Sequence, residues 1–248
     1  MEWQDEAIIL GIRPHGETSA IVEVMSRRHG RHLGVVKGGR SRRQQPLIQP
    51  GNGVEVHWWA RLDEHIGTFR LEAVDFAAAR MMGQPLALYA LQTFAAHLRL
   101  LPERDPHPAL YEALQLLTTH FATPALVGEI LLRFELRLLQ ELGFGLDLSC
   151  CAATGTREEL IYVSPRSGRA VSREAGLPWQ DKLLALPAFL HQNSRHADTI
   201  ADFHNGFRLT GFFLERHVWQ ARGLEAPPAR ESVINRLCHQ INVDETTQ

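Results

Sequence analysis

The residues of this 248-residue chain with the plainest chemistry are cations. Seven of them (Arg27, Arg28, Arg31, Lys37, Arg40, Arg42 and Arg43) crowd one short segment, with no acid between Glu23 and Glu55. The other 231 residues hold 19 basic and 28 acidic side chains, so a formal net charge of −2 conceals a one-signed basic patch. A polyanion is drawn to such a patch and repelled from most of the remainder. Gly38-Gly39 lies inside it, yet "GVVKGGR" is no phosphate-cradling P-loop. The spacer before Gly-Lys is missing, no Ser or Thr follows the lysine, and no helix follows the glycines. The G-x-G-x-x-G pattern is missing too, so the glycine pair is expected to supply positive φ at a strand end.

Other chemistries lack their residues. The sequence contains no G-x-S-x-G, no H-E-x-x-H and no C-x-x-C with a second pair. No catalytic residue, cofactor or metal is therefore expected. His15–Glu17 ("HGE") sits in a predicted turn, and the 13 histidines are scattered. Three cysteines, Cys150, Cys151 and Cys238, make a poor disulfide framework and point to a reducing, cytoplasmic setting. The N-terminal "MEWQDEAIIL" carries acids where a signal peptide needs bases, and no apolar run reaches the length of a membrane span.

The elements that must position the cations follow from periodicity. Five β-branched or aromatic runs (Ala7–Arg13, Ala20–Arg27, His32–Gly38, Val54–Leu62 and Gly67–Phe76) are separated by turn residues and predict a small closed barrel. The five-stranded OB-fold, an oligonucleotide binder, and an SH3-like barrel share this pattern. Val54, Val56 and Trp58 alternate with Glu55, His57 and Trp59, which turns Trp59 outward, free to stack an unpaired base or to pack on the helical half.

After Phe76 the period becomes helical. Helices are predicted over Gln84–Leu101, His107–Phe121, Thr123–Gly143, Asp198–Arg222 and Ala229–Asn242. In the third, Val127, Ile130, Leu131, Phe134, Leu138 and Leu142 form one apolar stripe, with Glu129–Arg133 and Arg137–Glu141 as i,i+4 pairs on the other side. An insert at about 147–178 holds two short strands. The fold class is thus α+β, with a barrel domain at 1–78 and a helical domain at 79–248.

Two stretches, "GETSAIVEVMSRRHGRHLGVVKGGRSRRQQPLIQPG" and "LLRFELRLLQELGFGLDLSCCAATG", resemble the bacterial recombination mediator family RecO in order and spacing. The resemblance covers most of the chain and is weakest after about Gln192. It implies an N-terminal OB-fold, a helical C-terminal domain and no enzymatic activity. It further implies binding of single- and double-stranded DNA, annealing of complementary strands, and action with RecR in loading RecA onto strands coated by single-stranded-DNA-binding protein (SSB). By position, Lys37, Arg40, Arg42 and Arg43 fall on the family's basic corner and Arg31 on the preceding strand; with Trp59 these form the expected DNA site. Arg133 matches a basic residue beside the family's pocket for the acidic, hydrophobic SSB tail, while Leu132 stands where some relatives have a second Arg. Many relatives carry zinc on two C-x-x-C pairs; here Cys151 fits one ligand, but Thr154, Ala170 and Arg173 replace the others, which implies a metal-free insert. The family implies a cytoplasmic, nucleoid-associated protein without membrane contact. A barrel protein acting on structured RNA is the alternative, for which the R-F-E-L helix has no role.

Overall fold

The computed structural model describes residues 1–192, 196–197 and 199–246, the side chains of 242–246 excepted. It divides into two compact units, Met1–Ala122 and Thr123–Gln248.

In the first unit β1 (Glu2–His15), β2 (Ser19–Ser26), β3 (Gly30–Val36), β4 (Gly53–Trp59) and β5 (Thr68–Asp75) form a closed barrel of order β1-β2-β3-β5-β4. All neighbours are antiparallel except β3 and β5, which meet in parallel at Val35 and Thr68. This is the OB-type architecture that the strand count left undecided against an SH3-like barrel. β1 starts five residues earlier than its β-branched run, because Glu2–Gln4 pair with His57–Trp59 and complete the wall. The interior is filled by Ile9, Val22, Val24, Val54, Val56, Trp58 and Phe69, all essentially buried. Gly34 has no side chain for a steric reason: a Cβ there would lie 2.5 Å from the Phe69 ring.

Behind the barrel come α1 (Ala77–Met81), α2 (Pro85–Leu98) and α3 (Pro108–His120). Pro85 and Pro108 each occupy the first turn, where the missing N–H leaves no bond unmade. Buried Asn52 ties three segments together. Its Nδ2 donates to the carbonyls of Pro46 and Leu47, and its Oδ1 accepts from the Ala78 N–H.

The second unit opens with α4 (Pro124–Glu141), capped by Thr123 and ended at Gly143, whose φ is 86°. A three-stranded sheet of order β7-β6-β8 follows, made of β6 (Leu160–Val163), β7 (Ala170–Ser172) and β8 (Leu184–Ala185). Between β7 and β8 lie α5 (Arg173–Gly176) and a 3₁₀ turn, Leu177–Lys182. Then come α6 (Ile200–Leu214), a π turn at Glu215–Trp219, α7 (Gln220–Arg222) and α8 (Pro228–Thr246). The predicted start at Asp198 falls outside the described residues; the described α6 begins after a Thr199–Asp202 capping box. Gly206 is where α4 and α6 touch, since a Cβ there would sit 2.8 Å from Leu132. At the π turn the buried residues step by five, from Phe213 to Val218 and from Leu214 to Trp219.

The polar face assigned to α4 is not wholly solvated. Glu135 is fully buried and binds Arg230 through Oε1 (2.7 Å) and Oε2 (2.9 Å), with the Thr210 hydroxyl also on Oε2. Glu129, also buried, accepts from the Ala197 N–H at 2.8 Å. An apolar stripe with two inward carboxylates is stable only when those carboxylates find donors, and here they do.

His32 lies inside the aromatic end of the barrel, with its ring 5.0 Å from Trp58 and 5.2 Å from Trp3. Burial first, then the nearby Arg104 and His29 charges, push its pKa down to about 4. His29, stacked on Trp3, is lowered in the same sense. The unfolded histidine takes up a proton near pH 6.5 and the folded one near 4, so barrel stability is complete above 6.5 and is lost as pH falls between those values. Thermal unfolding from pH 7.5 to 4.5 should show this loss, and His32→Phe should flatten much of it.

Candidate nucleic-acid interface

The seven basic residues of the Arg27–Arg43 segment separate into two sets. Arg27 pairs with Glu6 at 3.9 Å and Arg28 with Asp5 at 2.9 Å. Burial would raise the Asp5 pKa, but hydrogen bonds from the Ser26 hydroxyl and from the Arg28 backbone and guanidinium outweigh it and hold Asp5 below its ordinary value. Arg31 turns inward, 12% exposed in its side chain, onto Glu23 (3.1 Å) and Glu103 (3.3 Å). Glu23 also takes a close pair of bonds from Arg99, so Arg31 belongs to an internal ion network rather than to the solvent-facing edge. Lys37, Arg40, Arg42 and Arg43 are all exposed and, among the described residues, make no ion pair.

The corner that carries these four is a chain of tight turns from Lys37 to Ile48, not a loose loop. Gly38 adopts φ 66°, and Gly39 packs so closely that a Cβ would lie 2.9 Å from the Ala20 methyl. Ser41 accepts at its carbonyl from the Gln44 and Gln45 N–H groups, each at 3.0 Å. Arg40 joins the corner to the β1–β2 turn: its N–H donates to Thr18 O, and its guanidinium donates to Gly16 O (3.1 Å) and Glu17 O (2.9 Å). The E-T-S turn and the K-G-G-R-S corner, distant in sequence, are one surface for that reason. Asn52 holds the returning end at Pro46 and Leu47.

Trp59 ends β4 and is 51% exposed, whereas Trp58 beside it is 1% exposed. The Lys37 ammonium stands 5.9 Å from the Trp59 ring centroid, so barrel closure brings an aromatic face to the free cations. Phe69, by contrast, is a core residue.

In the second unit Arg133 is half-buried on α4, 3.9 Å from Glu129 and over the Phe189 ring at 5.9 Å. It borders a groove of about 260 Å³ lined also by Leu136, Arg137, Gln140, Leu146, Leu148 and Leu190. Sequence reasoning found Arg133 and missed Arg137, although its spacing of four residues along α4 placed both on one face. Leu132, where some relatives have Arg, is fully buried.

The insert does not provide a zinc donor set. Thr154, Ala170 and Arg173 supply no thiolate, Arg173 is bound to Glu159 at 3.2 Å, and no metal-poised cluster occurs among the described residues. The buried Cys151 sulfur instead accepts the Ser172 N–H at 3.2 Å. Burial pushes this thiol up, but hydrogen bonds from Ser172 and Thr154 prevail and bring it to about 6.

Two family models match the chain: "Recombination protein O N terminal" over residues 1–76 and "Recombination protein O C terminal" over residues 84–223. The chain therefore belongs to the RecO family. It is 59% identical over 247 residues, all of both chains, to the DNA repair protein RecO of Brucella abortus strain 2308. It is 62% identical over 237 residues to that of Mesorhizobium japonicum, covering 96% of this chain and 94% of the relative. The Bartonella henselae protein of the same name is 61% identical over 234 residues, 94% and 91% of the two chains. No helix among the described residues is long and apolar enough to cross a membrane.

Exhaustive chelation should leave the thermal unfolding of this protein unchanged. Cys151→Ala should lower stability by about 1–3 kcal/mol, as two or more donors lose a buried acceptor; scanning calorimetry reads both.

Proposed function

We propose that this protein is a recombination mediator whose barrel, residues 1–78, holds DNA on the corner formed by Lys37, Arg40, Arg42 and Arg43, with Trp59 stacking an unpaired base. The observation that carries the reading is the split of the basic segment. Three arginines are spent on internal carboxylates, and the four remaining cations stand together, exposed, beside the one outward aromatic ring of the barrel wall. Arg31 acts in this reading by stiffening β3 through Glu23 and Glu103.

The chemistry is charge neutralisation and strand holding. Cations on the corner release counterions from phosphates without regard to sequence, which suits both single- and double-stranded DNA. Two complementary strands repel one another, and a concentrated basic edge lowers that repulsion where they meet, which favours annealing. A stacking ring holds an unpaired base while its phosphates sit on the cations.

The α4 groove is the proposed seat of the SSB tail. Its floor is leucine and its rim carries Arg133 and Arg137, a match for a peptide that is both apolar and acidic. Docking there, with RecR, would bring the DNA-holding corner to SSB-coated strands and support RecA loading. No such logic connects the groove to a structured RNA.

Single-stranded DNA affinity should fall with salt at a log–log slope of roughly −3, for about four phosphate contacts. Arg42→Glu/Arg43→Glu should cut affinity by well over tenfold, and adding Arg40→Glu should abolish it. The double variant leaves the Arg40 clamp intact, so its folding is secure. Both variants should bind an SSB-tail peptide normally. Arg133→Glu/Arg137→Glu should do the reverse, weakening the peptide about tenfold or more by calorimetry while sparing DNA binding. Salt-independent DNA affinity, or preference for structured RNA in competition, would overturn the reading.

A further inference from the structure

The chain has five tryptophans, and three of them (Trp3, Trp58 and Trp219) are wholly or largely enclosed. The two that are exposed are Trp59, at 51%, and Trp179, at 58%. The chain also has only two lysines among its 26 cations, and each stands over one of these two rings: Lys37 at 5.9 Å from Trp59 and Lys182 at 5.6 Å from Trp179. Neither lysine makes an ion pair among the described residues. The same pairing of open indole and compact cation thus occurs once in each unit.

Trp179 is presented, not merely left over. It lies in the 3₁₀ turn Leu177–Lys182, with Pro178 in its first turn and Leu177 beside it at 62% exposure. The turn is clamped at both ends to one small sheet. On its N-terminal side Gly176 presses on the Tyr162 ring of β6, where a Cβ would meet Cδ2 at 2.4 Å. On its C-terminal side β8 pairs with β6 at Ala185 and Tyr162. A large apolar ring held out by a rigid turn forfeits burial, a cost that a ligand with a flat apolar face would offset.

We propose that Trp179 and Lys182 form a second station for single-stranded nucleic acid, in which the indole stacks an unpaired base, Leu177 covers its edge and the ammonium meets the adjoining phosphate. The inference rests on the DNA-binding reading of the barrel and adds a site in the other unit. Charge sets the two stations apart. The barrel corner offers four cations, whereas Lys182 is flanked by Asp181 and Glu174. The second station therefore binds through stacking, with at most one phosphate contact, and takes only unpaired strands. A molecule with two such stations can engage two unpaired segments.

The test uses full-length protein and a short oligothymidylate. Dye anisotropy on the oligonucleotide follows binding, and emission of Trp59→Phe against Trp59→Phe/Trp179→Phe isolates the Trp179 signal. Saturating oligonucleotide should quench the first protein and not the second. Trp179→Ala should bind about fivefold or more weakly with an unchanged salt slope, and Trp179→Phe close to wild type. If wild-type protein fails to bind the oligonucleotide, the barrel reading falls and this station with it. If binding is normal but Trp179 emission is unmoved, or Trp179→Ala binds as tightly as wild type, the second station alone is overturned. A loss of self-association or of SSB-tail binding in Trp179→Ala, with DNA affinity intact, would instead make the turn a protein contact.

Discussion

The barrel closes through one short parallel contact, and the DNA-facing surface depends on it. β3 and β5 meet only at Val35 and Thr68, with the Val35 N–H donating to Gly67 O at 3.0 Å. That approach is possible because Gly34 lets the Phe69 ring lie against its backbone. Closure draws the end of β3 toward the end of β4, so Lys37 comes to stand over Trp59 although 22 residues separate them in sequence. With the barrel open, the chain would still have a basic loop and an exposed indole, but not beside one another.

The electrostatics follow a similar economy. Carboxylates at Asp5, Glu6, Glu23 and Glu103 absorb Arg27, Arg28 and Arg31, and Glu23 takes Arg99 as well. These pairs hold strands and the α2–α3 connection in place while cancelling charge near the barrel's base. What remains uncancelled is the corner after β3. A basic patch is therefore two things at once here: a structural network at one end and a charged edge at the other.

Much of the fold was legible because it is written in local patterns. Val54, Val56 and Trp58 alternate as a half-buried strand must, which also turned Trp59 outward; Thr123-Pro124 and Gly143 bracket α4 as capping chemistry requires. The missing parts are those that local pattern does not encode. Nothing near Glu135 announces that its partner is Arg230, 95 residues away. Arg31 looks like any other member of a basic run until Glu103, remote in sequence, turns it inward. The short strand β8 is two residues long and exists only because β6 offers it an edge. For the candidate site, charge clustering exposed the corner, while Arg137 and Trp179 needed the surfaces around them to be seen.

The π turn at Glu215–Trp219 has a consequence for how this helix can change. It absorbs one extra residue without breaking the rod, and the step of five keeps Val218 and Trp219 under Phe213 and Leu214. Removing one residue there would restore an ordinary helix but rotate everything after it by about 100°. His217, now stacked on Phe144 at 4.9 Å, and buried Trp219 would trade their neighbours for water. Length at this point is thus a phase setting: substitutions leave the downstream face in step, whereas a single insertion or deletion puts it out of step with the core.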